Sequence, residues 1–360
     1  MMNVKRRFRF FIILLLVCGC NKQSESLSYN ESILTEDIDG YSRDMHIQGD
    51  TLFVVNEDEG LLIYTLDTVN QSVILDSIYT NWDHYQNWNL SGIQYINSLK
   101  SIIILDKFYS IQNVEIDLLL ENTNINYSKV CCKDDFQHPS KMSVNHLEGK
   151  LDIFTLIRNK SWSEGIPTNI VTIYKIQMIK IADLIIADEP IKIIDSLIYD
   201  VNDIHYANNR LFVSHTNYKK PEFRIYNSDN YDGNFSLDTV MTTPAIPNAL
   251  YSDGETLFVG MDDHGGVKVY NVENADSITE IGWIATGFSV KEIYWDPSSR
   301  LLLLSCGYQG VVVVELNENM QEIDSWVLNT SYAYAARNYM GHIIVASRNG
   351  LEIINLNATQ

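Results

Sequence analysis

An acidic side chain and an imidazole recur two residues apart at separate places in the chain. Asp44 is followed by His46 in the segment SRDMHIQ, and Asp203 is followed by His205 in VNDIHYA. Glu292 holds the related place in KEIYWD. Carboxylates brought together could bind a cation or serve as acid and base in catalysis. Repetition favours the structural alternative, in which these side chains accept backbone N–H bonds at a repeated turn.

Two acidic turns offer oxygen ligands of the kind that Ca²⁺ prefers. They are NEDEG at Asn56–Gly60 and MDDHGG at Met261–Gly266, and DIDG at Asp37 is a fragment of such a loop. None of them has the ligand spacing of a known calcium loop, so the default interpretation is a solvated turn. We therefore expect no metal and no cofactor, with Ca²⁺ as the one ion worth testing.

Sequence motifs of the common enzyme classes are missing. The chain has no Gly-x-Ser-x-Gly, no His-Glu-x-x-His, no phosphate-binding glycine loop and no Cys-x-x-Cys. We therefore assign no catalytic residue, and we expect a protein that binds rather than one that catalyses.

The N-terminus carries the features of a secretory signal. An apolar run of about eight residues, Phe10–Val17, follows the basic residues Lys5, Arg6, Arg7 and Arg9. Eight helical residues rise roughly 12 Å against a hydrocarbon core of ~30 Å, so the run is too short to span a membrane. Basic, apolar and small-residue regions in this order indicate a cleaved signal peptide.

The cleavage region, Val17-Cys18-Gly19-Cys20, resembles the bacterial lipobox. By that resemblance Cys18 leaves with the signal, while Cys20 becomes the first mature residue and anchors the protein to the membrane through its lipid. Asn21 follows, rather than the aspartate that resembles an inner-membrane retention signal. We therefore expect an outer-membrane lipoprotein, periplasmic or surface-exposed. The alternative is an ordinary signal peptide with an incidental cysteine.

Charge and cysteine content narrow the class of protein further. The net charge is −20, and removal of Met1–Gly19 deletes four basic and no acidic residues, which leaves −24. So acidic a surface repels phosphate backbones, which argues against nucleic acid as a partner. Three cysteines remain besides the anchor: Cys131, Cys132 and Cys306. A bridge between adjacent cysteines is strained, so we expect free, buried thiols.

A repeated unit occupies the rest of the chain. The segments around Asp44 and Asp203 align without a gap, so that Leu52-Phe53-Val54 matches Leu211-Phe212-Val213. The seven related segments begin at Ser42, Gly92, Lys141, Val201, Ala249, Lys291 and Ala335. Their spacing of roughly 42 to 60 residues approaches the period of β-propeller blades.

The pattern within each unit indicates four short strands. Apolar runs alternate with polar turns, and the second turn often ends in a glycine: Gly60, Gly266, Gly310 or Gly350. The fourth strand recurs as LDSIY at Leu75, IDSLI at Ile194, LDTV at Leu237 and IDSW at Ile323. Four antiparallel strands repeated radially form a propeller. The fold class is therefore all-β, a seven-bladed β-propeller of four-stranded antiparallel blades.

Closure of this ring needs one more strand, because the seventh unit ends after its third strand at Leu356-Asn357. The segment Glu31–Gly40 precedes the first unit and has no other role. We predict that this N-terminal strand completes the last blade, with Ile33–Glu36 antiparallel to Leu351–Leu356, which leaves no long edge open. The chain then divides into a signal peptide at 1–19, a lipid-anchored flexible tether at 20–31 and the propeller at 32–360.

The units resemble the LVIVD-repeat propellers of bacterial surface and secreted proteins. Ser42–Asp44, Thr51–Val55 and Gly60–Leu66 carry the resemblance best, to a pattern ARDV…Y-V-A…GL-x-I-x-D. The resemblance covers most of the mature chain and departs in unit 3, where SWSEGIPTN is inserted from Ser161. It implies the propeller fold and a setting at the cell envelope, and it implies no activity.

Aromatic residues concentrate in segments that a propeller would bring to one end. In a four-stranded blade, the turn between strands 2 and 3 and the connection from strand 4 to the next blade emerge on one face. The residues assigned to this ligand-binding face are Trp82, His84, Tyr85, Trp88, Tyr109, Trp162, Tyr218 and Tyr308, and Tyr332 and Tyr334 emerge there too. Rings among polar groups suit stacking on a sugar or gripping a peptide. The alternative is that the rings fold back as caps over the blades.

On a propeller, Asp44, Asp203 and Glu292 begin first strands near the central channel and become channel-mouth acids. We therefore interpret the chain as an envelope-anchored lipoprotein whose propeller is a non-catalytic binding or scaffolding module. Its partner would be a glycan, a peptide or an envelope protein. The alternative is a hydrolase or lyase with its site at the channel mouth.

Overall fold

The computed structural model of the protein is built of β-strands joined by turns. It describes residues 34–36, 40–57, 59–67, 72–79, 90–96, 101–106, 110–115, 126–129, 138–147, 150–163, 166–181, 184–187, 192–198, 200–216, 219–228, 234–274 and 277–356. No helix in these ranges has the length and apolar character that crossing a bilayer requires.

Five of the described sheets consist of four consecutive antiparallel strands each. Blade 1 is β2 (Ser42–Gln48), β3 (Thr51–Asn56), β4 (Gly60–Asp67) and β5 (Ser72–Tyr79). Blade 2 is β6 (Leu90–Ile96), β7 (Ser101–Asp106), β8 (Ser110–Glu115) and β9 (Asn126–Lys129). Blade 4 is β15 (Ile204–Ala207), β16 (Arg210–His215), β17 (Glu222–Ser228) and β18 (Phe235–Thr242). Blade 5 is β19 (Pro247–Ser252), β20 (Thr256–Met261), β21 (Val267–Asn271) and β22 (Thr279–Ile284), and blade 6 is β23 (Glu292–Asp296), β24 (Leu301–Ser305), β25 (Val311–Leu316) and β26 (Glu322–Leu328).

Blade 3 departs from this plan. Its strands are β10 (His138–Leu147), β11 (Lys150–Ser163), β12 (Ile166–Ile181), β13 (Leu184–Ala187) and β14 (Lys192–Ile198). Both β13 and β14 pair with β12, at different places along it. The inserted SWSEGIPTN lengthens the β11–β12 hairpin, so that residues 160–163 pair only with residues 166–169. This end of the hairpin is a two-stranded ribbon that extends beyond the blade.

Blade 7 joins the two ends of the chain and confirms the predicted closure. Its strands are β27 (Ala333–Tyr339), β28 (His342–Ser347), β29 (Gly350–Asn355) and the N-terminal β1 (Leu34–Glu36). In the antiparallel ladder between β1 and β29, Leu34 is opposite Ile353 and Glu36 is opposite Leu351. The seven-bladed fold is therefore the one that the repeats predicted.

Neighbouring blades pack face to face through alternating side chains. In β3, Leu52 and Val54 belong to a cluster shared with blade 7, whereas Phe53 and Val55 belong to one shared with blade 2. Successive side chains of a strand point to opposite faces, so an inner strand between two blades is apolar on both. The described core divides into seven such clusters, each between consecutive blades. A fully buried aliphatic or aromatic side chain contributes roughly 1.5–3 kcal/mol, so each interface is a core of its own.

Turn glycines bring the second and third strands close to the connection between blades. Gly310 has a φ of +79°, and a β-carbon there would lie 2.1 Å from the carbonyl oxygen of Leu328, at the end of β26. Gly266 repeats this arrangement in blade 5, with the carbonyl oxygen of Ile284 at 2.1 Å. The turn between strands 2 and 3 and the connection to the next blade therefore meet at one end of the propeller, which we call the connection face.

Candidate functional site

The pairing register aligns the first strands of the blades and defines two rings of positions around the propeller axis. The first ring consists of Asp44, Gly92, Lys141, Asp203, Ala249, Glu292 and Ala335. The second ring lies two residues further along each strand and consists of His46, Gln94, Ser143, His205, Tyr251, Tyr294 and Arg337. Residues two apart on a strand share a face, so both rings border the same space.

That space is a central cavity of about 430 Å³. Residues from the first strands of all seven blades line it, and every member of the two rings except Ala249 and Ala335 is among them. The predicted channel-mouth acids Asp44, Asp203 and Glu292 therefore lie around one cavity at the axis. The three acids are far apart in the sequence, and they come to one cavity because the radial repeat places each of them at the start of a first strand.

Arg337 bridges two of these acids across three blades. Its guanidinium donates to Glu292 Oε1 at 2.6 Å and to Asp44 Oδ1 at 3.2 Å, and it lies 4.8 Å from the centre of the Tyr294 ring. The three charged side chains are 16% to 23% exposed. A guanidinium between two carboxylates in a partly buried cavity neutralises most of their charge, so this side of the cavity holds one compact ion triad.

The third acid makes a looser pair on the opposite side of the ring. Lys141 Nζ lies 3.7 Å from Asp203 Oδ1, which is longer than a hydrogen bond, and the lysine side chain is 40% exposed. The negative charges of Asp203, Asp44 and Glu292 raise the pKa of Lys141. The ammonium therefore stays charged, although no single carboxylate holds it tightly.

The two aspartates also make the backbone contacts that the structural alternative predicts. Asp44 Oδ2 accepts from the N–H of Ile93 at 3.1 Å, and Asp203 Oδ2 accepts from the N–H of Leu250 at 2.8 Å. Both donors lie on the first strand of the next blade, so each aspartate fastens two blades together at the axis. Glu292 differs, because its second oxygen accepts from the hydroxyl of Ser305 at 3.2 Å.

Burial shifts the pKa values of the groups in the cavity in opposite directions. It raises the pKa of Asp44 and of Glu292, although the nearby Arg337 lowers both. It lowers the pKa of His46 to about 4 and lowers that of His205 as well. The two histidines are therefore neutral at pH 7, and the Nε2 of His205 is engaged with the carbonyl of Ser252 at 2.9 Å.

A second candidate site lies on the connection face of blades 6, 7 and 1. We call it the tyrosine–arginine cluster, and its members are Tyr41, Arg43, Tyr308, Tyr332, Tyr334 and Arg348. Ring centres are 4.7 Å apart for Tyr308 and Tyr332, 4.6 Å for Tyr332 and Tyr334, and 6.4 Å for Tyr334 and Tyr41. The four rings form a continuous row in which each touches the next.

Two guanidinium groups complete this cluster. Arg43 lies over the Tyr334 ring at 4.4 Å from its centre, and Arg348 lies 5.0 Å from the centre of Tyr41. Arg348 also donates to the hydroxyl groups of Tyr308 at 3.0 Å and Tyr41 at 3.2 Å. Tyr308 is 69% exposed and Arg348 is exposed, so the cluster presents a cation and aromatic rings to the solvent.

The predicted aromatic face is described only in part. Tyr308 lies on the connection face, and Trp162 lies in β11 opposite Pro167, at the end of the ribbon. The other residues assigned to this face lie outside the described residues; they are Trp82, His84, Tyr85, Trp88, Tyr109 and Tyr218. Cys20, Cys131 and Cys132 also lie outside the described residues. Cys306 is free and buried, as expected, and burial raises the pKa of its thiol to about 12.

Sequence reasoning missed the cations and the tyrosines of the cavity. Lys141 and Arg337 do not recur from unit to unit, and the tyrosine recurs only between units 5 and 6, so a search for repeated acids and histidines passes over them. The signal that finds them is positional. Each lies at the place of the repeated acid in its own unit or two residues after that place, where a strand returns to the same face.

The acidic turns hold internal partners in the part of the chain that the structure describes. Asp262 accepts from Lys291 Nζ at 2.9 Å, and Asn56 Oδ1 accepts from the N–H of Glu59 at 3.0 Å. Among the described residues, no three His, Cys, Asp or Glu side chains are grouped so as to hold a metal ion. Binding of Ca²⁺ stays a hypothesis for solution measurements.

Comparison with known proteins identifies the fold and nothing finer. No protein-family model matches the chain, and no curated protein sequence matches it. Among solved structures, the computationally designed protein Ika8 is similar with a TM-score of 0.57 and 8% identity over 89% of this chain and 98% of that one. The WD40 β-propeller domain of Doa1 is similar with a TM-score of 0.54 and 15% identity over 89% of this chain and 94% of that one. A chain of the mitotic checkpoint complex is similar with a TM-score of 0.57 and 11% identity over 93% of this chain and 94% of that one. The chain is a seven-bladed β-propeller.

Proposed function

We propose that the protein is an envelope-anchored lipoprotein whose propeller is a non-catalytic binding or scaffolding module. The observation that carries this proposal is the tyrosine–arginine cluster on the connection face. Propeller folds of the WD40 type are consistent with a role in protein interaction or scaffolding. The repeat pattern that resembles LVIVD propellers supports the envelope setting.

The chemistry of the cluster favours a protein or peptide as the partner. Tyrosine and arginine are among the residues most enriched where binding energy concentrates in protein interfaces, because each combines a large contact area with a polar group. The contacts of Arg348 with Tyr41 and Tyr308 hold its side chain in one geometry, which lowers the entropy that binding would cost. Arg43 is already paired with Glu57, so Arg348 is the cation available to an acidic group of the partner.

Arrays of peptides and glycans, incubated with the Cys20→Ser chain, test this proposal. The double variant Tyr308→Ala with Arg348→Ala should lose the array signal while its thermal unfolding stays cooperative. The control Glu318→Ala with Met340→Ala removes exposed side chains from turns at the opposite end and should bind as the parent does.

An undiminished signal from the Tyr308 and Arg348 double variant would refute the cluster as the binding site. A cluster-dependent signal on glycans but not on peptides would keep the binding function and change the partner class. Both outcomes are independent of the central cavity, because the cluster lies on the connection face and shares no residue with the two rings.

The alternative, a hydrolase or lyase at the channel mouth, requires a carboxyl group that can exchange a proton with a substrate. Asp44 and Glu292 hold Arg337 between them, and Asp203 holds a backbone N–H and faces Lys141. Carboxylates held in these ion pairs and hydrogen bonds act as fixed charges and link neighbouring blades, which supports the non-catalytic proposal.

The anchor has a separate test. A Cys20→Ser variant should lose metabolic labelling by a fatty-acid analogue and should move from the membrane fraction to the soluble fraction. Two or more acyl chains, each worth ~0.8 kcal/mol per buried CH₂, account for stable attachment of the parent. A Cys18→Ser variant serves as the control, because the lipobox resemblance removes that residue with the signal. Unchanged labelling of the Cys20 variant would remove the lipoprotein proposal and leave the binding proposal in place.

A further inference from the structure

Four neutral polar side chains line the central cavity without a hydrogen-bond partner among the described residues: His46, Gln94, Tyr251 and Tyr294. All four belong to the second ring, and they come from blades 1, 2, 5 and 6. An imidazole, an amide and a phenol hydroxyl can each donate and accept a hydrogen bond. The cavity therefore presents groups of both kinds from several sides at one depth.

The charged groups of the same cavity already have partners. Arg337 holds Asp44 and Glu292, while Lys141 faces Asp203. A charged ligand would have to compete with one of these pairs, and separating an ion pair in a partly buried site leaves a charge uncompensated. The net charge of −20 of the whole chain also repels anions. Apart from Lys141, whose pair with Asp203 is loose, the groups open to a ligand are the neutral ones.

The first ring leaves room beside these groups at blade 2. Its member there, Gly92, lines the cavity and carries no side chain. The volume of about 430 Å³ lies in the range of cavities that enclose small organic ligands. The rings of Tyr251 and Tyr294 provide apolar faces beside their hydroxyl groups.

We propose that the central cavity binds a neutral saccharide of one or two rings. Sugar hydroxyl groups donate and accept at once, which matches Gln94 and the hydroxyls of Tyr251 and Tyr294, and the C–H face of a sugar ring can stack on a tyrosine. This site goes beyond the proposed function, since it uses the axis of the propeller rather than the connection face.

Titration calorimetry of the Cys20→Ser chain tests the proposal with a panel of neutral sugars: glucose, galactose, mannose, N-acetylglucosamine, and the disaccharides maltose, cellobiose and lactose. We expect saturable binding of at least one of them. Tyr251→Phe and Tyr294→Phe each remove a single hydroxyl group and should weaken that binding about tenfold, the effect of one lost hydrogen bond of roughly 1.4 kcal/mol. Tyr339→Phe is the matched control, because its hydroxyl donates to Asp50, which does not line the cavity.

The charge of the ligand is tested by matched analogues of the sugar that binds. Glucosamine and glucuronate, or the corresponding derivatives, should bind more weakly than the neutral parent. Gly92→Leu should abolish binding by filling the first ring, and its β-carbon meets no atom closer than 3.4 Å, so the blade should still fold. Thermal unfolding of each variant checks that its fold is intact.

Three results would overturn this inference. One is the absence of saturable binding across the panel, and another is tighter binding of a charged analogue than of the neutral sugar. The third is an equal loss of affinity in Tyr339→Phe and in Tyr251→Phe. Retained binding after Tyr308→Ala with Arg348→Ala separates this site from the tyrosine–arginine cluster, so the failure of one proposal is distinguishable from that of the other.

Discussion

His46 of the second ring illustrates how the cavity fixes the protonation state of a single side chain. Burial and the nearby Arg337 lower the pKa of His46 to about 4, whereas an unperturbed imidazole has a pKa near 6.5. Between these values the folded chain binds fewer protons at this site than the unfolded chain does. The stability that the neutral His46 provides is therefore complete above about pH 6.5 and is lost as the pH falls towards about 4.

A His46→Gln variant should show a weaker dependence of stability on pH. Glutamine keeps a polar side chain in the cavity but does not titrate, so the fall in unfolding free energy between pH 7 and pH 4.5 should shrink by about 2 kcal/mol. Urea denaturation at the two pH values measures this difference. Gln94→Asn, a change at a residue of the same ring that does not titrate, should keep the dependence of the parent. An identical pH dependence in His46→Gln and the parent would contradict the neutral state assigned to this residue.

Arg337→Met should destabilise the propeller by about 2–4 kcal/mol at pH 7, because it leaves Asp44 and Glu292 facing each other without their cation. The loss should diminish towards pH 4, where protonation removes the repulsion between the two carboxyl groups. Denaturant unfolding at both pH values measures this loss of stability.

The triple variant that adds Asp44→Asn and Glu292→Gln should recover much of the stability at pH 7. Arg348→Met, which removes an exposed guanidinium, should cost little by comparison. A triple variant no more stable than Arg337→Met would show that packing, not charge, accounts for the loss.

At the scale of the strands, the sequence pattern within each unit predicted the individual strands but not the contacts between distant segments. Apolar runs and turn glycines such as Gly310 indicated strands 2 and 3, and the recurring motif LDSIY at Leu75 indicated the fourth strand. The bridge made by Arg337 could not be predicted in this way, because its two partners lie 45 and 293 residues away. The pairing of both β13 and β14 with β12 in blade 3 could not be predicted for a related reason. The insertion changes the strand lengths, and no repeated residue marks the new register.

Gly310 and Gly287 separate two effects of replacing a glycine in a turn. Their φ angles are similar, at +79° and +71°, so alanine is strained at both by about 1 kcal/mol. A β-carbon at Gly310 would lie 2.1 Å from the Leu328 carbonyl oxygen, whereas none of the surrounding atoms is within 4 Å at Gly287. Gly310→Ala should therefore destabilise the protein by at least about 2 kcal/mol more than Gly287→Ala. Thermal and denaturant unfolding compare the two, and equal losses would refute the close contact between turn and connection.

At the scale of the whole molecule, the ring is closed by β1 and by the cluster between blades 7 and 1. That cluster includes Leu52 and Tyr64 from blade 1 and Ile344 and Leu351 from blade 7. Within the described chain, each of the other blades is made of strands that follow one another in sequence. Closure is thus the one feature of the fold that requires segments from both ends of the described chain.

Deletion of Glu31–Asp39 should therefore destabilise the whole propeller, because it removes β1 and opens the edge of β29. Deletion of Lys22–Ser28, in the predicted tether, should leave the thermal midpoint unchanged. Differential scanning calorimetry of the two deletions compares them directly. Equal midpoints would mean that β1 contributes nothing to closure.

The pairing of β1 with β29 also constrains the order in which the propeller can fold. Contacts distant in sequence form slowly, because a long loop must close first. Blades 1 to 6 consist of neighbouring strands and can form from local contacts, but β1 stays unpaired until residues near Ile353 reach it. Until then the outer faces of blades 1 and 6 remain exposed, together with apolar residues such as Leu52 and Leu303. A chain that lacks β29 therefore keeps these apolar faces exposed and is a substrate for chaperones and proteases.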